Sequence, residues 1–316
     1  MRLQAKWSQS KFHASWSQLS DPHVRDLAWL LSAPNLLNVN DARWQGKIAT
    51  LEPDVDIEAW LHALDADPTS LHAHLQLGPF ERLGRYAEKL LAFYFKHCGL
   101  LLAHGVQVHS KEGQTIGEFD FLLRQDNAAL HWEFAIKLYL MGSPTDEDCF
   151  VGPNLADTLQ AKMRKILDRQ LALGRHPEAQ VLLPARIIKA QALIKGWMFY
   201  REDEASNIDA GLSADHCRGF WCAQSESREL NAPCYVILPR LSWLAPVQVG
   251  ANMALDQAAL GIIVDRHFAV ETTPLMVAQC TVDRNVAQES SRGFIVPEDW
   301  RQRAGQRSQR AVVRPG

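Results

Sequence analysis

The sequence predicts an α/β fold, a mixed sheet flanked by helices, and three observations carry that prediction. Apolar residues recur at helical spacing through the first 97 positions, three alternating strand-like runs fill 101–140, and a basic helical stretch with further strand-like runs follows. At 316 residues, 47% of them hydrophobic, the chain is long enough to bury a core without disulfide or metal staples.

Each element has its own signal. Residues 1–79 read as an N-terminal helical region. DPHVRDLAWLLSAP begins at the start signal Asp21-Pro22 and stops at Pro34, and DIEAWLHALDAD repeats the helical spacing. The helix RLGRYAEKLLAFYFKH (82–97) aligns Leu83, Ala87, Leu90, Leu91 and Tyr94 on one face, with Gly99 as its stop. Strands are expected at 101–110, 115–124 and 129–140, separated by Gly113 and by Asp126-Asn127. A helix over 156–174, strands at 180–188 and 193–200, and a mixed stretch over 217–296 with one helix near 252–264 complete the pattern. The expected division is a core at 80–200, a C-terminal α/β extension at 201–300 packed on it, and a disordered basic tail at 301–316. That tail carries five arginines and no acid.

Composition excludes several classes. A formal net charge of −3 argues against nonspecific coating of nucleic acid, which needs summed positive charge. No window approaches the ~20 apolar residues of a membrane span, and the N-terminus MRLQAKWSQSKF has no apolar signal run, so a cytoplasmic protein without membrane attachment is expected. His216, Cys217, Cys222 and Cys234 lack the paired C-x2-C knuckles of a zinc site, so the six cysteines read as buried thiols. No phosphate-cradling G-x4-G-K-[ST] loop and no nucleophile elbow occurs, and His104, His109 and His131 read as structural.

The stretch GEFDFLLRQDNAALHWEFAIKLYL (117–140) is where chemistry concentrates. Strand alternation puts Leu130, Trp132, Phe134, Ile136 and Leu138 on one face, and Glu133 and Lys137 on the other. In the preceding strand Phe119 and Phe121 oppose Glu118 and Asp120, so the charges are expected to share one face. A tight turn about Asp126-Asn127 places Asp120 across from Glu133 and Glu118 across from Ala135. Opposed β-carbons lie ~5 Å apart, a destabilising distance for two carboxylates unless a cation sits between them. An exposed hairpin face is the competing explanation, but helices on both sides predict a covered sheet, and covered charge needs a counter-charge.

These residues resemble a known arrangement. GExD on one strand, E-x-A-x-K on the next, and a preceding GxxxE helix are similar to the PD-(D/E)XK nuclease superfamily over about 80–200. The phrases VRDLAWLLSAPNLL, GEFDFLL, HWEFAIKLYL, GPNLADTL, CYVILPRLSWLAP and SRGFIVPEDW resemble the bacterial family called domain of unknown function 1853, over about 19–300. The first resemblance implies a restriction-endonuclease-like sheet and an Mg2+ or Mn2+ ion held by Asp120 and Glu133, with Glu88 and Glu118 contributing. Its usual lysine position is Ala135 here. Lys137 lies two residues further on, about 6.6 Å along the strand, and either leans back to the site or neutralises Glu118. Lys162 or Gln160 on the next helix are the other sources of a polar group. The reading that follows is a metal-dependent phosphodiesterase acting on nucleic acid, DNA before RNA, with catalytic Asp120, Glu133, Lys137 and Glu88. Lys162, Arg164, Lys165 and Arg169 would approach the phosphates. The alternative is a nuclease-like module without catalysis that binds nucleic acid or a protein partner.

Overall fold

The computed structural model describes residues 7–53, 56–76, 82–143, 149–201 and 210–312, with side chains to 307 in the last stretch. Its N-terminal region is helical: α1 (Gln9–Trp16), α2 (Pro22–Ser32), α3 (Ile57–Ala66) and α4 (Thr69–Leu75). The start of α2 follows from its first residues. Asp21 accepts hydrogen bonds from the His23 and Val24 amides, and Pro22 occupies a first-turn position where its missing N–H is no loss. Helix α5 (Leu83–His97) buries Tyr86, Ala87, Leu90, Leu91, Tyr94 and Phe95 and ends before Gly99, whose φ is +68°.

The meander then runs β1 (Leu101–His109), β2 (Thr115–Gln125) and β3 (Ala128–Met141), all antiparallel neighbours. Asp126-Asn127 form a two-residue loop, with Asp126 at φ +51°. The short β4 (Phe150–Val151) pairs with β3, and α6 (Leu159–Asp168) follows, N-capped by Thr158. A 3-10 turn (Gln170–Arg175) and α7 (Pro177–Gln180) lead into β5 (Ile187–Tyr200), parallel to β3 along almost its whole length. The chain continues through β6 (Cys217–Ala223), β7 (Cys234–Ile237), β8 (Gln248–Gly250), α8 (Gln257–Phe268), β9 (Leu275–Asp283), β10 (Val286–Val296) and α9 (Trp300–Val312). Strand order across the sheet is β1-β2-β3-β5-β6-β10-β9-β7, with β4 beside β3 and β8 beside β10.

Several expectations need correction. The helix expected over 156–174 is shorter: α6 stops at Asp168 and the rest is a 3-10 turn. The strand expected at 193–200 begins at Ile187 as β5, and the one expected at 180–188 is instead the end of α7 and a turn up to Arg186. The C-terminal strands extend the same sheet, since β6 pairs in parallel with β5. The tail is not disordered from 301: α9 is helical to Val312, docked by buried Trp300, whose indole N–H donates to the Pro153 carbonyl at 2.7 Å. Among the described residues no helix is long and apolar enough to cross a membrane.

Both faces of the central strands are covered. Leu140, Trp132 and Phe121 share an apolar cluster with α2 and α5, while Ala135, Tyr139 and Met141 share another with Leu159, Met163 and Ile166 of α6. The N-terminal helices are also tied to the far end of the chain by charge. Asp26 accepts from the Ala245 amide at 3.0 Å, Arg25 donates to the Pro246 carbonyl, and fully buried Arg292 pairs with Glu289 at 2.6 Å.

Gly196 of β5 sits opposite Lys137 of β3 with φ +151°, and a Cβ there would lie 1.8 Å from the Lys137 carbonyl oxygen. Only glycine fits that backbone and that contact. Gly196→Ala is therefore expected to cost about 3 kcal/mol or more. Denaturant unfolding of the variant checks this, and a loss below about 1 kcal/mol would contradict it.

Candidate metal centre

The centre starts from a fork between β2 and β3. Their ladder runs from Gln125–Ala128 to Phe121–Trp132, in the register expected from the turn, and then stops. Beyond it β2 stays on β1 and β3 stays on β5. At the point of divergence the Phe134 amide donates to Asp120 Oδ2 at 2.8 Å, so a side-chain oxygen replaces the missing backbone acceptor. Gly105 faces Asp120 in the β1–β2 register and has φ +63°.

Helix α5 brings Glu88 to this fork. Carboxylate oxygens of Glu88, Glu118 and Asp120 all lie within 4.8 Å of one another, the one such potential metal-binding group among the described residues. Glu118 is flanked by Gln107 at 3.3 Å and Arg85 at 3.5 Å. Glu88 Oε1 is 2.9 Å from His104 Nε2, yet among the described residues neither atom completes an aligned hydrogen bond, so this buried carboxylate oxygen has an ion-pair neighbour but no aligned donor. Such an atom is costly in isolation, and a hard divalent cation, which takes oxygen ligands, would satisfy it.

Glu133 stands to the side of this triad. Its Oε1 lies 2.7 Å from His131 Nε2, and its Oε2 accepts from Gln170 Nε2 at 2.5 Å. The four acids expected at the metal thus divide into Glu88, Glu118 and Asp120 on one hand and Glu133 on the other. The shared face expected for the hairpin charges is corrected in the same way: Glu118 and Asp120 reach α5, whereas Glu133 meets the 3-10 turn after α6. The cause is local. Phe119 packs edge-on to His131 while Phe121 packs on Phe95 of α5, so strict alternation in β2 is interrupted at Asp120.

Electrostatics link the two halves. Burial raises the Asp120 carboxyl well above the ordinary carboxylate range, and the neighbouring Glu133 charge raises it further. Burial also raises Glu133, opposed chiefly by the positive charge of Lys162. Burial lowers the Lys162 ammonium, and Asp157, Asp120 and Glu133 pull it back up. Lys137 ends elsewhere: its Nζ is 3.6 Å from Asp157 Oδ2, to which the Tyr139 hydroxyl also donates at 3.1 Å. It neither leans back to Asp120 nor neutralises Glu118. Ala135, where the lysine was expected, is buried in the apolar cluster with Leu159 and Met163 of α6. The helix that covers Ala135 is the one that supplies Lys162.

Of the four basic residues expected to meet phosphate, half-buried Lys162 turns to the carboxylates, whereas Arg164, Lys165 and Arg169 are exposed. All six cysteines are thiols, five buried and Cys98 exposed. His104 and His131, read from sequence as structural, both contact site carboxylates. His131 had a signal, since it lies two residues before Glu133 on the same strand face. His104 had none, because its partner comes from α5.

Fold and site together define a mixed α/β protein with a half-buried carboxylate cluster where a hairpin forks. The chain belongs to the family described as domain of unknown function DUF1853, which matches residues 25–296. Neither a curated protein nor a solved structure gives a significant match.

The raised carboxyls set a pH dependence. The folded state holds protons that the unfolded chain releases near pH 4, so stability is expected to fall as pH rises from about 4 through neutrality. Asp120→Asn keeps an acceptor for the Phe134 amide while removing the charge. It is expected to flatten that slope and to gain about 1–2 kcal/mol at about pH 8. Thermal unfolding of both proteins across this range measures it, and parallel slopes would contradict it.

Proposed function

We propose that this protein is a divalent-metal-dependent phosphodiesterase acting on nucleic acid, with DNA as the first substrate to test. The observation that carries the reading is the convergence of Glu88, Glu118 and Asp120 within 4.8 Å at a strand fork, one of their oxygens buried and without an aligned donor among the described residues. Mg2+ or Mn2+ held there by Asp120, Glu88 and Glu118 would lower the pKa of a bound water and polarise a phosphate oxygen. The remaining chemistry belongs to the chain. Glu133, raised toward neutrality by burial and held by Gln170 and His131, would have to exchange one of these partners to take the proton of an attacking water. Lys162 offsets the negative charge that grows on the phosphate during displacement, the role the superfamily's strand lysine fills elsewhere. The exposed Arg164, Lys165 and Arg169 extend α6 as a basic face for backbone phosphates.

Single- and double-stranded DNA and RNA, each offered with Mg2+ or Mn2+, test the reading. Cutting of at least one form is expected. Asp120→Ala, Glu133→Ala and Lys162→Met should each lower its rate by a factor of about 100 or more. Absence of cutting on every form, or undiminished cutting by Asp120→Ala and Glu133→Ala, would sink it.

A further inference from the structure

Lys137 is the one residue of the hairpin's charged set that the proposed chemistry leaves unused. Its surroundings form a cavity of about 380 Å³, within the size range of small-ligand sites. Among the described residues three cations line it, Lys137 from β3, Arg82 before α5, and Arg240 from the segment after β7, against one acid, Asp157. The Lys137–Asp157 contact, at 3.6 Å, is longer than a hydrogen-bonded ion pair. Leu83 and Gly84, the first residues of α5, also line the cavity, and among the described residues no side chain caps this helix end. The positive end of a 15-residue helix therefore adds to the three cations.

One wall is fixed in advance. The Trp243 indole N–H donates to the Leu238 carbonyl at 2.9 Å, and its own carbonyl accepts from buried Arg292 at 2.7 Å. The Arg240 guanidinium lies 5.7 Å from the centre of the Trp243 ring. The cavity thus combines a rigid aromatic wall, a net positive lining and room for more than a bare anion.

Its position relates it to the metal centre through two elements. Gly84 and Glu88 are four residues apart on α5, a rise of about 6 Å. Phe134 and Lys137 are three residues apart on β3, about 10 Å. We infer that the cavity seats a phosphate and its sugar from the substrate strand, next along that strand from the group held at Glu88, Glu118 and Asp120. This rests on the phosphodiesterase reading for its placement in the reaction. The recognition itself needs only the strand's phosphate, which would displace Asp157 from Lys137 and meet Arg82 and Arg240.

Binding can be separated from cutting. The full chain, kept in chelator, is titrated with a fluorescent single-stranded DNA of about ten nucleotides, with unlabelled DNA and inorganic phosphate as competitors. Lys137→Gln and Arg240→Gln are each expected to weaken binding about tenfold or more, and Lys137→Arg to retain it within about threefold. Arg266→Gln, exposed on α8, is the control and should bind as the parent does. Circular dichroism melts confirm that the variants fold. Wild-type affinity in both Lys137→Gln and Arg240→Gln overturns the proposal, as does displacement of the DNA by inorganic phosphate at equal phosphate concentration. Variants that lose DNA while no substrate is ever cut support the seat and remove the phosphodiesterase reading. Metal-dependent cutting with unchanged binding and cutting in both variants does the reverse.

Discussion

The Phe134 amide donating to Asp120 is the contact from which the candidate site follows. Where β2 and β3 part, that amide loses its backbone acceptor, and leaving it unpaired would cost about 1–3 kcal/mol. Asp120 supplies the oxygen, so the fork holds the carboxylate and the carboxylate stabilises the fork. The other edge of β3 cannot yield, because it is paired with β5 from Ala129 to Leu140. A gap held open between fixed strands is what lets Glu88 enter from α5 and meet Glu118.

Holding carboxylates this close is unfavourable, and the way the structure tolerates it bears on function. Asp120 and Glu133 are pushed toward their neutral forms by burial. Glu133 is further held by Gln170, His131 and the charge of Lys162, whereas Glu88 keeps an oxygen with no aligned donor among the described residues. The site is thus hydrogen-bonded on the Glu133 side, whereas on the Glu88 side His104 and Arg85 lie close without an aligned hydrogen bond to that oxygen. The alanine at position 135 fits the same division. A side chain as long as lysine at position 135 would have to displace Leu159 and Met163, and α6 delivers an ammonium from above instead.

Much of this was legible in the sequence, and the failures share a cause. The Asp126-Asn127 turn predicts the pairing of Phe121 with Trp132, and apolar spacing predicts α2, α5 and the three strands β1, β2 and β3 within a residue or two of their ends. The division of the charges between two sides was not legible, because alternation assumes an unbroken pleat. Gly105 and the fork break it at Asp120. Contacts between distant segments leave no periodic trace, which is why His104 beside Glu88, and Lys162 over Ala135, could not be assigned in advance. The docked α9 is the same case: its composition reads as solvated tail, and Trp300 meeting Pro153 and Trp221, with Ala304 buried beside it, docks it against the body.

Glu133 and Lys137 stand on the same side of β3, four residues apart, and belong to different surroundings. Gly196 explains how the strand accommodates this. By taking a conformation open to glycine alone, it brings β5 close against the Lys137 backbone, and the lysine side chain then runs to Asp157. The wall opposite depends on the far end of the chain, where Arg292, paired with Glu289, holds the Trp243 and Ala245 carbonyls. Breaking a buried pair of that kind leaves an uncompensated charge, so the 243–245 segment is fixed as firmly as the sheet itself. The C-terminal strands therefore do more than lengthen the sheet. They place Arg240 and Trp243 across from Lys137, and in doing so they make a second polar cavity out of a residue that the candidate site leaves unused.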